Sequence, residues 1–569
     1  MEPPRPLHRH SLGILVLAVL AWAGASLRCG FAYDDSEVLS GNPVIEGTLP
    51  WSAVVTTDYW AHSPAGAADH FRPLATASLR IDHGLWGDRP AGYHATNLLL
   101  HLLVLLAASR LARGLAGRGF GTGALLGLAV FAIHPALADS VAWISGRTSM
   151  LSCLGGLAGV LLLESRRRPS AALAATAAAL AVVLGTAGKE DGVIFGLVAV
   201  GVASTRGRTR AAMLGTVLGV GVSLAWRALA LGGLSTGAGS PPLAEAHLFE
   251  RLSYGGAAFF TALANLAAPL DPPSGLGLDS LTPLTGFPAL AAWVLLGTSL
   301  VGGITVAIRA GEPGRRLCGV SLALAALALL PWSQLVPIGE LFGSRMLYLP
   351  LLLGAPALDE GLRRLLPRRH IVLTATGAAT LILLAWSSTS TYVDRESYWR
   401  ARLRHEPASP NAWNALGNAM IEKRRGEEAV RAWEQAIELD PAYSRPWTNL
   451  GTYYLESGMA GMAIDYLEQA ARVGPRNPIA WANLGNARLR ASEPFSAITA
   501  YERAVDLSPG AAALWRGLAR ARLEASKLDG ARAAVERALE LSPQDPGSLR
   551  LSARIEAVTK SLRDGPGGR

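Results

Sequence analysis

What most limits the fold of this chain is a succession of long apolar runs, each close to the roughly 20 residues a helix needs to cross the hydrocarbon of a bilayer. They lie at about 11–28, 95–112, 121–137, 148–164, 171–187, 190–204, 211–231, 287–308, 317–336, 346–361 and 371–389. Eleven such runs predict a polytopic bundle of about eleven membrane helices. Composition agrees: half of the residues are hydrophobic, 17% are charged, and the mean hydropathy is +0.28, so much of the surface needs lipid to cover it.

The positive charge is distributed in a way that argues against nucleic acid. The chain carries a net +9, yet its arginines do not form one stripe of the kind that tracks a phosphate backbone. Arg110, Arg113 and Arg118 follow the second run, and Arg166, Arg167 and Arg168 the fourth. Arg206, Arg208 and Arg210 follow the sixth, Arg309, Arg315 and Arg316 the eighth, and Arg363, Arg364, Arg368 and Arg369 the tenth. Every second loop is basic, as expected of cytoplasmic loops. With Arg5, His8, Arg9 and His10 ahead of the first run, this places the amino terminus in the cytoplasm and the carboxy-terminal region outside. The moderately apolar stretch Leu252–Leu270 contains Asn265 and runs into Asp271, Pro272 and Pro273. Counting it as a span would turn the Arg309–Arg316 loop outward, so it reads as an interfacial or re-entrant helix, with twelve spans the alternative. The first run reads as a retained anchor, because Ala25, Ser26, Leu27, Arg28 and Cys29 make a poor signal-peptidase site. Cys29, Cys153 and Cys318 have no metal-ligand spacing and read as packing residues.

Beyond the last run the period changes to 34 residues. Trp413, Trp447, Trp481 and Trp515 recur at that spacing, as do Leu416, Leu450, Leu484 and Leu518. So do Ala429, Ala463, Ala497 and Ala531; Ala436, Ala470, Ala504 and Ala538; and Pro441, Pro475, Pro509 and Pro543. Gly417, Gly451 and Gly485 are matched by Ala519. This spacing of large and small residues resembles the tetratricopeptide repeat, in which each unit is a helix hairpin that buries its core only by stacking. The expected organisation is a membrane unit over 1–392, a linker over 393–408, four repeats over 409–544, and a capping helix with a tail over 545–569. The fold class is all-α: a membrane helical bundle followed by a soluble α-solenoid.

The first exterior loop, about 31–94, is far longer than a connection requires and is rich in aromatic residues: Phe31, Tyr33, Trp51, Tyr59, Trp60, Phe71, Trp86 and Tyr93. It opens with Asp34 and Asp35 at the membrane surface. Other exterior loops bring His134, Asp139 and Arg147, then Lys189, Glu190 and Asp191, then Arg345 to the same side. A carboxylate beside cations at one membrane face suits attack by a hydroxyl on a sugar carried by a lipid phosphate: the carboxylate takes the proton and the cations hold the departing phosphate.

The stretch Tyr33, Asp34, Asp35 through Asn42 and Pro43, then Phe71, Arg72, Pro73 and Leu74, then Gly92, Tyr93, His94, Asn97, Leu100 and His101, resembles the transmembrane and tetratricopeptide repeat-containing O-mannosyltransferases. So do His134 and Pro135 with Gly146 and Arg147, the Lys189–Glu190 pair, and Arg345, Leu347, Tyr348, Leu349 and Pro350. The resemblance implies a C-type membrane glycosyltransferase fold, a polyprenyl-phosphate-linked sugar, mannose or another hexose, as donor, and inversion at the anomeric carbon. It implies that Asp34 or Asp35, with Asp35 the preferred choice, deprotonates a Ser or Thr hydroxyl of an exported protein. It implies that Arg72, His94, Lys189 and Arg345 stabilise the leaving phosphate, with Glu190, His134 and Arg147 in support. No resident metal is expected, although some relatives bind a divalent cation at the acidic pair. Ser344 stands where a Glu is common in the family, Asp139 where a Glu is usual, and Thr148 and Ser149 replace an expected acidic position, which leaves the sugar and acceptor open. Composition rich in Ala, Gly and Arg suggests a bacterial inner membrane with the repeats on the periplasmic side, where they would recruit the acceptor. Two other readings fit the sequence: a non-enzymatic envelope scaffold, and a ligase or polymerase acting on lipid-linked glycan. No phosphate-binding Gly-rich loop and no serine nucleophile elbow is present.

Overall fold

The computed structural model describes residues 7–60, 70–116, 125–165, 168–233, 246–270, 287–330, 343–365 and 371–563. Among them the regular structure is entirely helical and divides into two compact units, Met1–His405 and Glu406–Arg569. Arg5, Arg118, Arg166, Arg167, Asp271, Pro272, Pro273, Arg368 and Arg369 lie outside the described residues.

The first unit contains α1 (Leu7–Ser26), α2 (Asp35–Leu39), α3 (Pro73–Trp86), α4 (Pro90–Ala116), α5 (Leu125–Ile133), α6 (Ala138–Val141), α7 (Arg147–Glu164) and α8 (Ala171–Gly188). It continues through α9 (Phe195–Ser204), α10 (Thr209–Leu231), α11 (Leu248–Ala267), α12 (Phe287–Arg309), α13 (Pro313–Leu329), α14 (Tyr348–Leu365), α15 (Ile371–Thr389) and α16 (Arg395–His405). Each of the eleven apolar runs contains a helix, but among the described residues five are long and apolar enough to cross a membrane: α4, α7, α8, α10 and α12. Two of the shortfalls have local causes. The run at 121–137 yields only α5, because His134 adopts an extended conformation (ψ 123°) ahead of Pro135 and the helix ends there. The run at 190–204 opens with a 3₁₀ turn, Glu190–Ile194, and becomes α-helical only at Phe195.

Polar contacts fix which helix ends lie together. At one end Arg110 of α4 reaches Glu164 at the end of α7 (3.0 Å), Arg206 after α9 reaches the same Glu164 (3.8 Å), and the Leu126 N–H of α5 donates to Asp359 of α14 (2.8 Å). At the other end, the start of α4 meets the segment after α1 through His94 and the Gly30 carbonyl (3.2 Å), and Lys189 after α8 meets Ser149 at the start of α7 (3.1 Å). Consecutive long helices therefore run in alternate directions, with the basic connections at the first end. α11 departs from this order: its Leu266 carbonyl lies 3.3 Å from His134, and its Leu252 carbonyl accepts from Trp293 in the second turn of α12 (2.9 Å). Small residues let neighbours approach closely; a Cβ at Gly159 of α7 would stand 2.4 Å from the backbone of Ala181 in α8.

The segment 393–408, expected as a linker, is helical over α16, and Tyr398 and Trp399 within it are buried in the first unit. The second unit comprises α17 (Pro410–Glu422), α18 (Gly426–Leu439), α19 (Ser444–Glu456), α20 (Ala460–Val473), α21 (Pro478–Arg490), α22 (Pro494–Leu507), α23 (Ala512–Glu524), α24 (Leu528–Leu541) and the closing α25 (Pro546–Arg563). Leu416, Leu450, Leu484 and Leu518 and both alanine series are buried, as the period predicts. The tryptophans are half-buried and each latches its repeat to the preceding turn: the indole N–H groups of Trp413, Trp447, Trp481 and Trp515 donate to the carbonyls of Pro407, Pro441, Pro475 and Pro509 at 2.9–3.1 Å. Gly417, Gly451 and Gly485 leave room for Trp433, Leu467 and Tyr501, each within 2.6 Å of where a Cβ would stand. In the fourth repeat the helix-packing residue shrinks to Val535, and there Ala519 fits.

Candidate active site

Tyr33, first after the α1 connection, sits at φ 49°, in the left-handed region that is costly for a bulky L-residue. Aromatic packing holds it there: its ring stacks on Tyr398 (centroids 4.6 Å apart) and meets Trp143 and Trp399 at 5.5 and 5.6 Å. The reversal sends the next two carboxylates to different environments. Asp35 is fully buried and accepts three hydrogen bonds: one oxygen accepts the Ala32 N–H (3.1 Å), and the other accepts the N–H and hydroxyl of Ser145 (3.0 and 2.8 Å). Burial raises its pKa to about 6, with these donors opposing. Asp34 is 9% exposed, and its buried Oδ1 has no hydrogen-bond partner among the described residues. Burial, then the Asp35 charge, hold the Asp34 carboxyl well above the usual carboxylate range, with Arg345 pulling the other way. Nearby Cys29 is no nucleophile, since burial pushes its thiol up to about 12.

The basic side of the site comes from four other segments. Arg72 precedes Pro73 at the start of α3; its Nη2 lies 3.3 Å from Glu190, its Cζ lies 5.9 Å from the Tyr59 ring centre, and its Nε is buried with no partner among the described residues. The Tyr59 hydroxyl is also buried without a partner there, and burial and the Asp34 charge raise its pKa. The Tyr59 N–H donates to the carbonyl of His70 (2.8 Å), whose imidazole is lowered to about 4 by burial and by Arg72. Glu190 accepts Arg72 on one oxygen and faces Arg227 at 3.8 Å on the other. Burial would raise its pKa; the arginine overrides that and holds it at about 2. Arg345 lies over the Trp143 ring at 4.8 Å, and its backbone N–H donates to Asp139 (3.1 Å), whose other oxygen accepts the Tyr392 hydroxyl. The result is one carboxylate with an open oxygen, one open phenol and a set of guanidinium groups at one end of the bundle.

Asp34 lies under the charge of Arg345, and Arg72, Glu190 and Arg345 all act on His70, while the other expected site residues make contacts within the fold. Arg147 is wholly buried, pairs with Asp82 (2.7 Å), and donates to Ser78 and to the carbonyls of Tyr93 and Ile144. His134 accepts the Ala136 N–H on Nδ1 and bonds the Leu266 carbonyl through Nε2, a pattern that selects the Nε2–H tautomer. Lys189, 5% exposed, is shared between Ser149 and Asp191 (3.4 Å). His94 is buried against the Gly30 carbonyl. Sequence reasoning missed His70, Asp82, Ser145, Arg227 and Tyr392 and read Tyr59 only as an aromatic of the loop. Arg227 did carry a signal, a charge inside an apolar run; Tyr392 carried none. Of the acidic pair, Asp35 already accepts three protein donors, and no group of three or more His, Cys, Asp or Glu that could hold a metal occurs among the described residues.

A profile described as tetratricopeptide repeat matches residues 448–510 and 483–546, and a second matches 410–443. Protein O-mannosyl-transferase TMTC2 of Mus musculus is 34% identical over 138 residues, 24% of this chain and 16% of the relative. The Caenorhabditis elegans protein O-mannosyl-transferase F38B6.6 is 27% identical over 189 residues, 33% of this chain and 26% of the relative. Over these stretches the chain is similar to the protein O-mannosyl-transferases, and its residues 410–443 and 448–546 match tetratricopeptide repeats. It spans between 16% and 26% of the length of these two relatives. Among solved structures, that of the MamA protein aligns with 28% of this chain and 85% of its own length, at 20% identity and a TM-score of 0.25.

Proposed function

We propose that this chain is an integral membrane glycosyltransferase that moves a hexose, mannose being the first choice, from a polyprenyl phosphate to a Ser or Thr hydroxyl of an exported protein. The observation that carries this reading is an open, buried Asp34 oxygen under the charge of Arg345, with Arg72 over the ring of Tyr59, a phenol that both Asp34 and Arg72 influence. In the reaction, Asp34 removes the hydroxyl proton as the oxygen attacks the anomeric carbon from the face opposite the phosphate. The bond between the anomeric carbon and the phosphate oxygen breaks, and the electron pair leaves with the polyprenyl phosphate. Arg72 and Arg345 neutralise the phosphate charge, and the configuration inverts in one displacement. Asp34 suits the base better than Asp35, which already accepts three hydrogen bonds from Ala32 and Ser145. Glu190, flanked by Arg72 and Arg227, keeps Arg72 aimed; Asp139 and Tyr392 do the same for Arg345.

The alternating helix directions support eleven crossings made by the segments of α1, α4, α5, α7, α8, α9, α10, α12, α13, α14 and α15, with α5 lengthened by the Pro135–Leu137 turn and α9 by the Glu190–Ile194 turn, and with α11 lying at the interface. The basic connections then face the cytoplasm, as in a bacterial inner membrane, and the active site and repeats face the exterior. The repeats recruit the protein acceptor. Names of the relatives support a protein acceptor and a mannosyl donor. The test is transfer of labelled hexose from synthetic polyprenyl-phosphate hexose to membrane and periplasmic acceptors by the purified full chain and by Asp34→Asn. Labelling of protein by the wild type alone supports the reading. Labelling of glycan alone replaces it with a ligase, and no labelling with any hexose donor replaces it with a scaffold.

A further inference from the structure

At the basic end of the first unit, away from the candidate active site, a cavity of about 520 Å³ separates α9 from α13. The space opens to the surface beside Arg316, so an occupant could enter it from outside. α9 lines the space from Phe195 to Ser204 without closing on α13. The lining is apolar along its depth, with Val198 and Val202 on one side, Val320 and Leu324 on the other, and Leu352 and Ala355 of α14 behind. An apolar void of this kind does not hold ordered water. Among the described residues, Arg316 is the one charged residue that lines it. Its Nε is fixed on the Ala310 carbonyl (2.6 Å), while its side chain is exposed and its terminal nitrogens make no hydrogen bond among the described residues.

We propose that this cavity seats one acyl chain of an anionic glycerophospholipid whose phosphate is held by Arg316. A linear hydrocarbon chain fills the apolar depth and displaces no ordered water. The guanidinium offers planar donors to a phosphate at the level of the headgroups, where basic side chains attract anionic lipid. The absence of any carboxylate among the lining residues leaves that attraction unopposed. The lipid would complete the packing between α9 and α13, and its site is separate from the end of the bundle that carries Asp34 and Arg72.

The test uses the full chain reconstituted in nanodiscs of phosphatidylcholine with a minority of phosphatidylglycerol, stripped into mild detergent and read by native mass spectrometry. The expected result is one retained phosphatidylglycerol on the wild type. Val320→Trp fills the cavity and should abolish retention. Arg316→Gln, a surface change that should leave folding intact, should keep chain occupancy but lower the preference for phosphatidylglycerol about fivefold, the loss expected for one cation near a headgroup. Retention unchanged in both variants overturns the proposal. So does a retained lipid that is zwitterionic in the wild type, or retention of added polyprenyl phosphate in place of phospholipid. If Val320→Trp does not fold, Arg316→Gln decides alone: an unchanged preference overturns the proposal and a reduced one supports it.

Discussion

Tyr33 and Tyr398 lie face to face, 4.6 Å between ring centroids and 26° from parallel, although 365 positions separate them in the chain. Tyr33 is the strained residue that aims Asp34, so the helix after the last membrane run supports the proposed base directly. Replacing Tyr398 with Ala should release the turn. Transfer should fall on the order of 10²-fold, the loss typical of a small misplacement of a reacting group, while donor binding changes little. Comparing the maximal rate with the donor KM checks this; a fall in donor affinity alone would point to a role in binding.

Asp34 and Asp35 should respond differently to the same substitution. Asp34→Asn should remove about 10²–10⁴-fold of the transfer rate, the usual value of a general base, with the thermal midpoint unchanged. Asp35→Ala strands the Ala32 and Ser145 N–H groups and the Ser145 hydroxyl, and each buried donor left unmade costs about 1–3 kcal/mol, so it should lower the midpoint before any rate is measured. A stable, inactive Asp35→Ala beside a fully active Asp34→Asn would reverse the assignment.

The acid limb of activity should sit above the ordinary carboxylate range of about 4, because the base works only when ionised and burial raises its pKa. Arg345 favours the anion, so Arg345→Gln should move the limb to higher pH as well as lose roughly 10²–10³-fold in rate, as for one donor at a developing charge. Glu190, held at about 2, does not titrate in this window. The limb belongs to the coupled Asp34–Asp35 pair and not to one residue. Stability has the opposite slope. The folded state holds protons that the unfolded chain releases near pH 4, so the pair's contribution is present below about 4 and is lost as the pH rises through about 6, where Asp35 ionises. Thermal midpoints of wild type and Asp35→Asn between pH 4 and 7 check this, since the slope should flatten in the variant.

In the repeats, Gly451→Ala puts a methyl 2.4 Å from Leu467 and should cost about 1–3 kcal/mol through overpacking. Combining it with Leu467→Val recreates the pairing that Ala519 and Val535 already use, so the double variant should be more stable than the sum of the two single changes allows. A chemical-denaturation cycle of the four proteins measures the coupling; strict additivity would show that the glycine and its neighbour are independent.

The repeats were readable in the sequence because each core position is local and recurs at a fixed interval; Leu416 and Ala429 need only the period to be placed. The acidic pair was readable as a pair and unreadable as two roles, since what separates Asp34 from Asp35 is the Ser145 hydrogen bonds supplied by a loop 110 residues away. Arg147 looked like a site residue because its exterior loop and its place after Gly146 matched the resemblance, but its partner Asp82 stands on α3 without a spacing that marks it. Helix ends at His134 and Phe195 depended on backbone conformation within apolar runs, where hydropathy alone reads a continuous span.

Asp139 takes the Arg345 backbone on one oxygen and the Tyr392 hydroxyl on the other, bonds that reach 206 and 253 residues forward. A nascent chain is therefore made through almost all of its first unit before Arg345 acquires its anchor. Partly synthesised or truncated products ending before Tyr392 would be inert however well their early helices had entered the bilayer. Competence arrives late in translation, just before the repeats that would bring it a substrate.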